Sequence, residues 1–120
     1  MADERTGPRP PSWREGLTLP IGWEDKEGAL HREAEVRPVT GGDELWIGMN
    51  PQYVRNQNDL VYKTLLLSRT VTKLGQKTSI TPQDIAALHA LDVRALEYAV
   101  YRITYGEENL PPEEDGSPGG

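Results

Sequence analysis

Cysteine and phenylalanine are both absent from the 120 residues of this chain. Without cysteine there are no disulfides and no thiolate metal sites. Without phenylalanine, three tryptophans and five tyrosines carry the large-ring share of any core. Histidine is scarce, with two residues, so an imidazole-based metal centre would need carboxylates converging on one of them. No apolar run approaches the ~20 residues that cross a bilayer, and no membrane partner is expected. Residues 1–11 are polar and proline-rich and lack the apolar centre of a signal peptide. Basic charge is also short: 13 Lys and Arg stand against 19 Asp and Glu, a net charge of −6 with a pI near 4.9. Phosphate attraction needs a basic surface, so no nucleic-acid partner is expected. These absences together read as a cytoplasmic protein.

Apolar content is 36% and mean hydropathy is −0.64, both low for a compact globule. Residues 1–14 hold three prolines, one glycine and mixed charge, and are expected to be disordered apart from Trp13, which is expected to pack beside the first strand. Residues 107–120 hold five acids, three prolines, three glycines and no base, and read as a disordered acidic tail. The remainder, 15–106, is one small domain. Roughly 90 residues give a thin hydrophobic core.

Within that domain the organising stretch is Leu17 to Ile47, LTLPIGWEDKEGALHREAEVRPVTGGDELWI. Leu17, Leu19, Ile21 and Trp23 are apolar at every second position, which predicts a strand with those four on one face. Asp25, Lys26, Glu27 and Gly28 form a polar cluster suited to a hairpin loop. The return strand is predicted over 29–39. Leu30, Ala34 and Val36 share one face with Arg32 between them, and His31, Glu33, Glu35 and Arg37 share the other, wet face. Pro38 cannot donate to a ladder and marks the strand's end. A two-stranded ribbon is marginal in water, so its apolar face needs cover.

Helices are expected to supply it. Thr40-Gly41-Gly42-Asp43-Glu44 is a turn that can open a short helix, with Asp43 able to cap and Glu44 suited to the first turn. Leu45, Trp46, Ile47 and Met49 form an apolar knot expected to plug the gap between ribbon and helices. Asn50-Pro51 breaks what precedes it, and 52–58 read as a loop or a frayed turn. Over 59–74, Leu60, Thr64, Leu67, Val71 and Leu74 recur at helical spacing, which predicts one central helix stopped by Gly75. Thr81-Pro82-Gln83-Asp84 is a helix start. Ile85 and Leu88 with Leu91, then Val93, Leu96, Val100 and Ile103, predict two helices with a corner at Asp92, ended by Gly106. The expected fold class is therefore α+β: an N-terminal β-hairpin on a bundle of two or three helices.

No residue here is assigned a catalytic, cofactor-binding or metal-binding role, and no cofactor is expected. His31 lies on the wet face of the ribbon, and His89 reads as a partly exposed helix residue. Glu33 beside His31 and Asp92 beside His89 are the nearest carboxylates, and a metal site would need a third and fourth ligand. Gly41-Gly42 is not part of a phosphate-binding glycine pattern, and Ser68 and Ser79 lack a nucleophile elbow. Arg37, Asp43 and Glu44, with Trp23 and Trp46, are the candidate site. They flank the passage from ribbon to helices. The sequence leaves open whether they form an ion-paired structural corner or a partner contact.

The pattern resembles small phage tail assembly proteins. The residues that carry the likeness are Pro20, Ile21, Gly28, Val36, Arg37, Pro38, Thr40, Gly41, Asp43 and Glu44. In the second half they are Leu66-Leu67-Ser68-Arg69, Thr81-Pro82, Leu88, Leu91-Asp92 and Tyr105-Gly106. The likeness spans roughly residues 16–106, about one small domain. It departs from the family pattern where Val36 replaces the usual leucine and where Pro38 directly follows Arg37. The resemblance implies a non-enzymatic tail assembly chaperone, of a phage or of a contractile injection system, that binds tape-measure or other tail subunits. An alternative within the same class is a permanent baseplate-type subunit. Self-association into a homo-oligomer stays open. A small enzyme is a third reading, and it would need a pocket with converging polar groups.

Overall fold

The computed structural model describes residues 7–107. Of the tails expected over 1–14 and 107–120, residues 1–6 and 108–120 lie outside the described residues. Strand β1 (Glu15–Glu24) and strand β2 (Leu30–Val36) form the expected antiparallel hairpin. Its loop is held by Asp25, whose Oδ1 accepts from the Glu27 and Ala29 amides at 2.9 and 3.0 Å. Gly28 takes the positive φ that closes the loop.

The strand pairing is not continuous. Glu15 to Thr18 pair with Val36 to Glu33, and pairing resumes only at Trp23 opposite His31. Four residues of β1, Leu19 to Gly22, therefore face Arg32 alone. The sequence explains this bulge. Pro20 has no N–H to give the ladder, and Gly22 sits at φ +112° where a Cβ would lie 2.9 Å from Arg32 Cγ. The stranded backbone groups are taken up by side chains. Arg32 donates to the Leu19 carbonyl at 3.1 Å and to the Pro20 carbonyl at 2.7 Å. The Ile21 and Gly22 amides donate to the two carboxylate oxygens of Asp92, each at 2.9 Å. The bulge also ends the simple alternation: Leu19 is fully buried, but Ile21 and Leu30 are exposed.

The sheet has a third strand that the helical spacing concealed. Helix α1 (Gly41–Gly48) and the one-turn helix α2 (Pro51–Arg55), where a loop or a frayed turn was expected, lead to helix α3 (Asp59–Thr70). The helix expected to run on to Leu74 stops at Thr70, and Val71–Leu74 is strand β3, antiparallel to β2. Thr70, Val71 and Thr72 are consecutive β-branched residues, stiff in a helix and suited to a pleated surface. The Arg37 amide takes the Thr70 carbonyl at 2.9 Å as the helix ends. Leu67, Val71 and Leu74 are buried as expected, but the last two reach the core from a strand. Leu60, assigned to the same stripe, is exposed. Gly75 ends this strand at φ +60°, its amide 2.8 Å from the Glu33 carbonyl.

Helix α4 (Pro82–Ala86) opens on the expected Thr81 cap with Asp84 completing a capping box. One more helix follows, making the two predicted, but the corner lies at 87–89. Helix α5 (Ala90–Tyr105) is capped by His89, whose Nδ1 accepts from the Leu91 amide, and Asp92 is inside its first turn. Leu91, placed on the inner face, is exposed. The stripe Leu96, Ala99, Val100 and Ile103 packs in one core with Leu19, Val36 and Leu67. The fold is thus α+β, with a three-stranded sheet of order β1-β2-β3 covered by helices. Residues 7–14, expected as disordered tail, lie on this core. The Arg9 amide donates to the Ile103 carbonyl at 2.8 Å, and Trp13 packs against the cluster beside β1 with Nε1 on Glu15. Among the described residues no helix is long and apolar enough to cross a membrane.

Replacing Asp92 by Asn puts an NH2 group opposite a backbone donor. Asp92→Asn is expected to destabilise the domain by roughly 2 kcal/mol, a loss of roughly 10 °C in Tm for a domain of this size. Thermal denaturation followed by circular dichroism checks it. An unchanged Tm would mean that the bulge amides do not depend on this carboxylate.

Candidate docking surface at the helical corner

β2 gives way to α1 through Arg37, Pro38, Val39 and Thr40. Thr40 caps α1, accepting from the Asp43 amide, while the Asp43 carboxylate accepts from the Thr40 amide at 2.8 Å. The cap is therefore Thr40, and Asp43 is its reciprocal partner. Asp43 is fully buried and does more than cap. Its two oxygens accept from both terminal nitrogens of Arg37 and from Arg69 Nε, each at 2.9 Å. Four donors thus converge on one carboxylate. Burial pushes its pKa up, but the Arg37 hydrogen bonds, the Thr40 amide and Arg69 outweigh this and hold it well below the usual carboxylate range. The Arg37 pKa is raised in turn, chiefly by its hydrogen bonds to Asp43.

The five residues singled out in the sequence separate into three places. Arg37 and Asp43 form an ion pair, one of the two arrangements the sequence left open. Trp46 joins them through Arg69, whose guanidinium lies 4.7 Å from the Trp46 ring centroid. Glu44 is not part of this cluster. It is exposed and lines a different groove. Trp23 is remote in the chain pairing, on the hairpin, with its ring 5.2 Å from that of His31. His31 itself is half-buried and its Nε2 lies 2.8 Å from Asp25, so it is not the freely solvated residue the alternation suggested. Among the described residues no three His, Asp or Glu side chains gather as a metal site.

Arg69 is the member of the cluster that the residue-by-residue reading did not single out. It entered only among the residues that carry the resemblance, and only the fold brings it to Asp43 from 26 residues away. The apolar knot is also arranged differently from expectation. Ile47 alone is buried, while Leu45 on α1 and Met49 at its C-cap, four residues apart, are 64% and 71% exposed. Val54 on α2 and Leu60 on α3 add exposures of 53% and 67%. The knot faces outward because the Asp43 cluster fixes the roll of α1 with Ile47 inward.

A second feature lies beside this corner. Between α3 and α5 runs a groove of about 510 Å³ lined by Tyr62, Leu66, Tyr98, Tyr101 and Tyr105, with Glu44 at its edge. Tyr98, Tyr101 and Tyr105 are three and four residues apart, so they share a face of α5 opposite its core stripe. That spacing was available in the sequence, but the stronger aliphatic stripe on the same helix hid it. Burial, then the Glu44 charge, raises the pKa of both Tyr62 and Tyr105. Searches against family models, curated proteins and solved structures find no match to this chain.

Asp43→Asn leaves two guanidinium groups without their anion and is expected to destabilise the domain by roughly 3 kcal/mol. The pH dependence has a definite sign. A carboxylate whose folded pKa is depressed stabilises the fold above its unfolded pKa, about 3.9, and that contribution is lost as pH falls towards the folded value. Stability of the wild type should therefore decline below about pH 4 more steeply than that of Asp43→Asn. Urea titrations across that range check both statements, and parallel acid limbs would refute the second.

Proposed function

We propose that this chain is a non-enzymatic assembly protein of a phage tail or a contractile-injection-type particle. It binds tape-measure or other tail subunits in the cytoplasm while the particle forms. The family resemblance over residues 16–106 motivates the reading, and one observation carries it. Leu45, Met49, Val54 and Leu60 stand exposed on three successive helical elements. Single exposed apolar side chains are ordinary on a protein surface. Four within sixteen positions, with α1 and the end of α3 held by a buried ion cluster, support a surface that another chain covers. Leucine and methionine suit this role, because flexible apolar side chains adapt to a partner's helix. The net charge of −6 supports solubility of the free protein despite that surface.

Co-expression with the tape-measure protein of the same particle tests the reading. The chain is expected to keep that client soluble and to co-purify with it. The double variant Leu45→Glu, Met49→Glu should retain the wild-type circular dichroism spectrum and lose the client. Equal retention of client by the variant would refute a role for this surface. Presence of the chain in purified particles would favour a permanent baseplate-type subunit over an assembly factor.

A further inference from the structure

The tyrosine groove between α3 and α5 differs in chemistry from the aliphatic face of α1 and α2. Its walls are aromatic, with Tyr62 from α3 and Tyr98, Tyr101 and Tyr105 from α5. Tyr98 is 56% exposed, and the Tyr101 and Tyr105 rings meet at 4.7 Å. The charged residues along it are Glu44, Asp59 and Glu97 against Lys63 and Arg94. Arg94 is drawn to Glu97, with its Nε 3.3 Å from Oε1. The other oxygen, Glu97 Oε2, is closed off from water with no hydrogen-bond donor. A carboxylate oxygen in that condition is costly; the Glu97 side chain as a whole keeps 21% exposure, so a donor from outside relieves it only once Oε2 turns outward. Tyrosine faces attract cations. The Glu44 charge acts on both Tyr62 and Tyr105, on opposite walls of the groove.

We propose that this groove takes a lysine- or arginine-bearing amphipathic segment of a partner protein, its alkyl stem between the tyrosines and its cationic head towards Glu97 and Glu44. This deepens the reading as a protein-binding subunit and rests on it. The occupant follows from charge complementarity. Acids outnumber bases along the groove, the orphaned atom is an acceptor, and the walls are π-faces. A basic side chain with a long apolar stem satisfies all three. A second copy of this chain fits less well, because two chains of net charge −6 repel.

The test uses the full-length protein and a labelled synthetic leucine–lysine amphipathic helix of about 18 residues, long enough to span the groove. Binding is followed by fluorescence anisotropy. Saturable binding is expected, weaker at high salt. Glu97→Gln and Tyr98→Ala should each weaken it roughly tenfold. Glu33→Gln removes one exposed acid on β2 and should leave affinity within about twofold, since it changes net charge equally but lies outside the groove. Circular dichroism of each variant verifies folding, and the exposure of Tyr98 keeps that variant informative should Glu97→Gln unfold. Absence of saturable binding overturns the proposal. So does an equal loss in Glu33→Gln, which would mark attraction to overall charge, and so does equal binding of a leucine–glutamate peptide. Concentration-dependent dimerisation that blocks the peptide would assign the groove to a second copy and also overturn it. The Leu45→Glu, Met49→Glu variant should bind the peptide normally. If the peptide fails while the tape-measure client is still held through α1, the groove proposal falls and the assembly reading stands. If the client is lost and the peptide still binds at the groove, the reverse holds.

Discussion

The Ile21 and Gly22 amides have no strand to donate to, because Pro20 and the left-handed Gly22 break the ladder of β1. The carboxylate of Asp92 takes both. A buried amide left alone costs about 1–3 kcal/mol, and a charged acceptor offsets this more fully than a neutral one. The contact also joins two elements 70 residues apart, and it sets an acid in the first turn of α5, where the helix dipole favours negative charge. Once the first turn of α5 is fixed to the bulge, the helical period fixes everything along it. Leu96, Val100 and Ile103 meet the sheet. Tyr98, Tyr101 and Tyr105 fall on the far face and become the wall of a groove.

A second carboxylate works in a similar way at the other end of β2. Asp43 is buried, and its solvation is replaced by four donors from Arg37, Thr40 and Arg69. Such clusters stabilise less than their short distances suggest, since desolvation offsets much of the attraction. Their effect is geometric. The end of β2, the start of α1 and the end of α3 meet at one point, which turns Ile47 into the core and Leu45 and Met49 outward. In a domain with so thin a core, bidentate ion pairs hold short helices that apolar packing alone would leave loose.

The two surfaces that result offer different kinds of contact. Leu45, Met49 and Val54 expose aliphatic side chains, while the α3–α5 groove is lined by tyrosines with Glu44, Asp59 and Glu97 beside them. Glu44 lies between them. It begins in the same helix turn as Asp43 but faces the groove, so adjacent residues serve the structural corner and the surface separately.

The amino-acid sequence determined the local features of this protein. The Asp25–Gly28 loop, the Thr81 cap, the Gly106 stop, the α5 stripe and the Arg37–Asp43 pair all depend on residues close in the chain, where turn chemistry and helical period decide. The tertiary structure decided the rest. Leu67, Val71 and Leu74 fit a helix and a helix-to-strand passage equally well, and only β2 offering a free edge made 71–74 a strand. Arg69 and Asp92 are ordinary polar residues until the fold carries them to Asp43 and to the β1 bulge. The knot at Leu45 to Met49 could have plugged the core or faced water, because apolar composition records a preference for burial but not the partner that satisfies it. That choice was made by long-range hydrogen bonds, which join groups whose separation along the chain leaves no periodic trace.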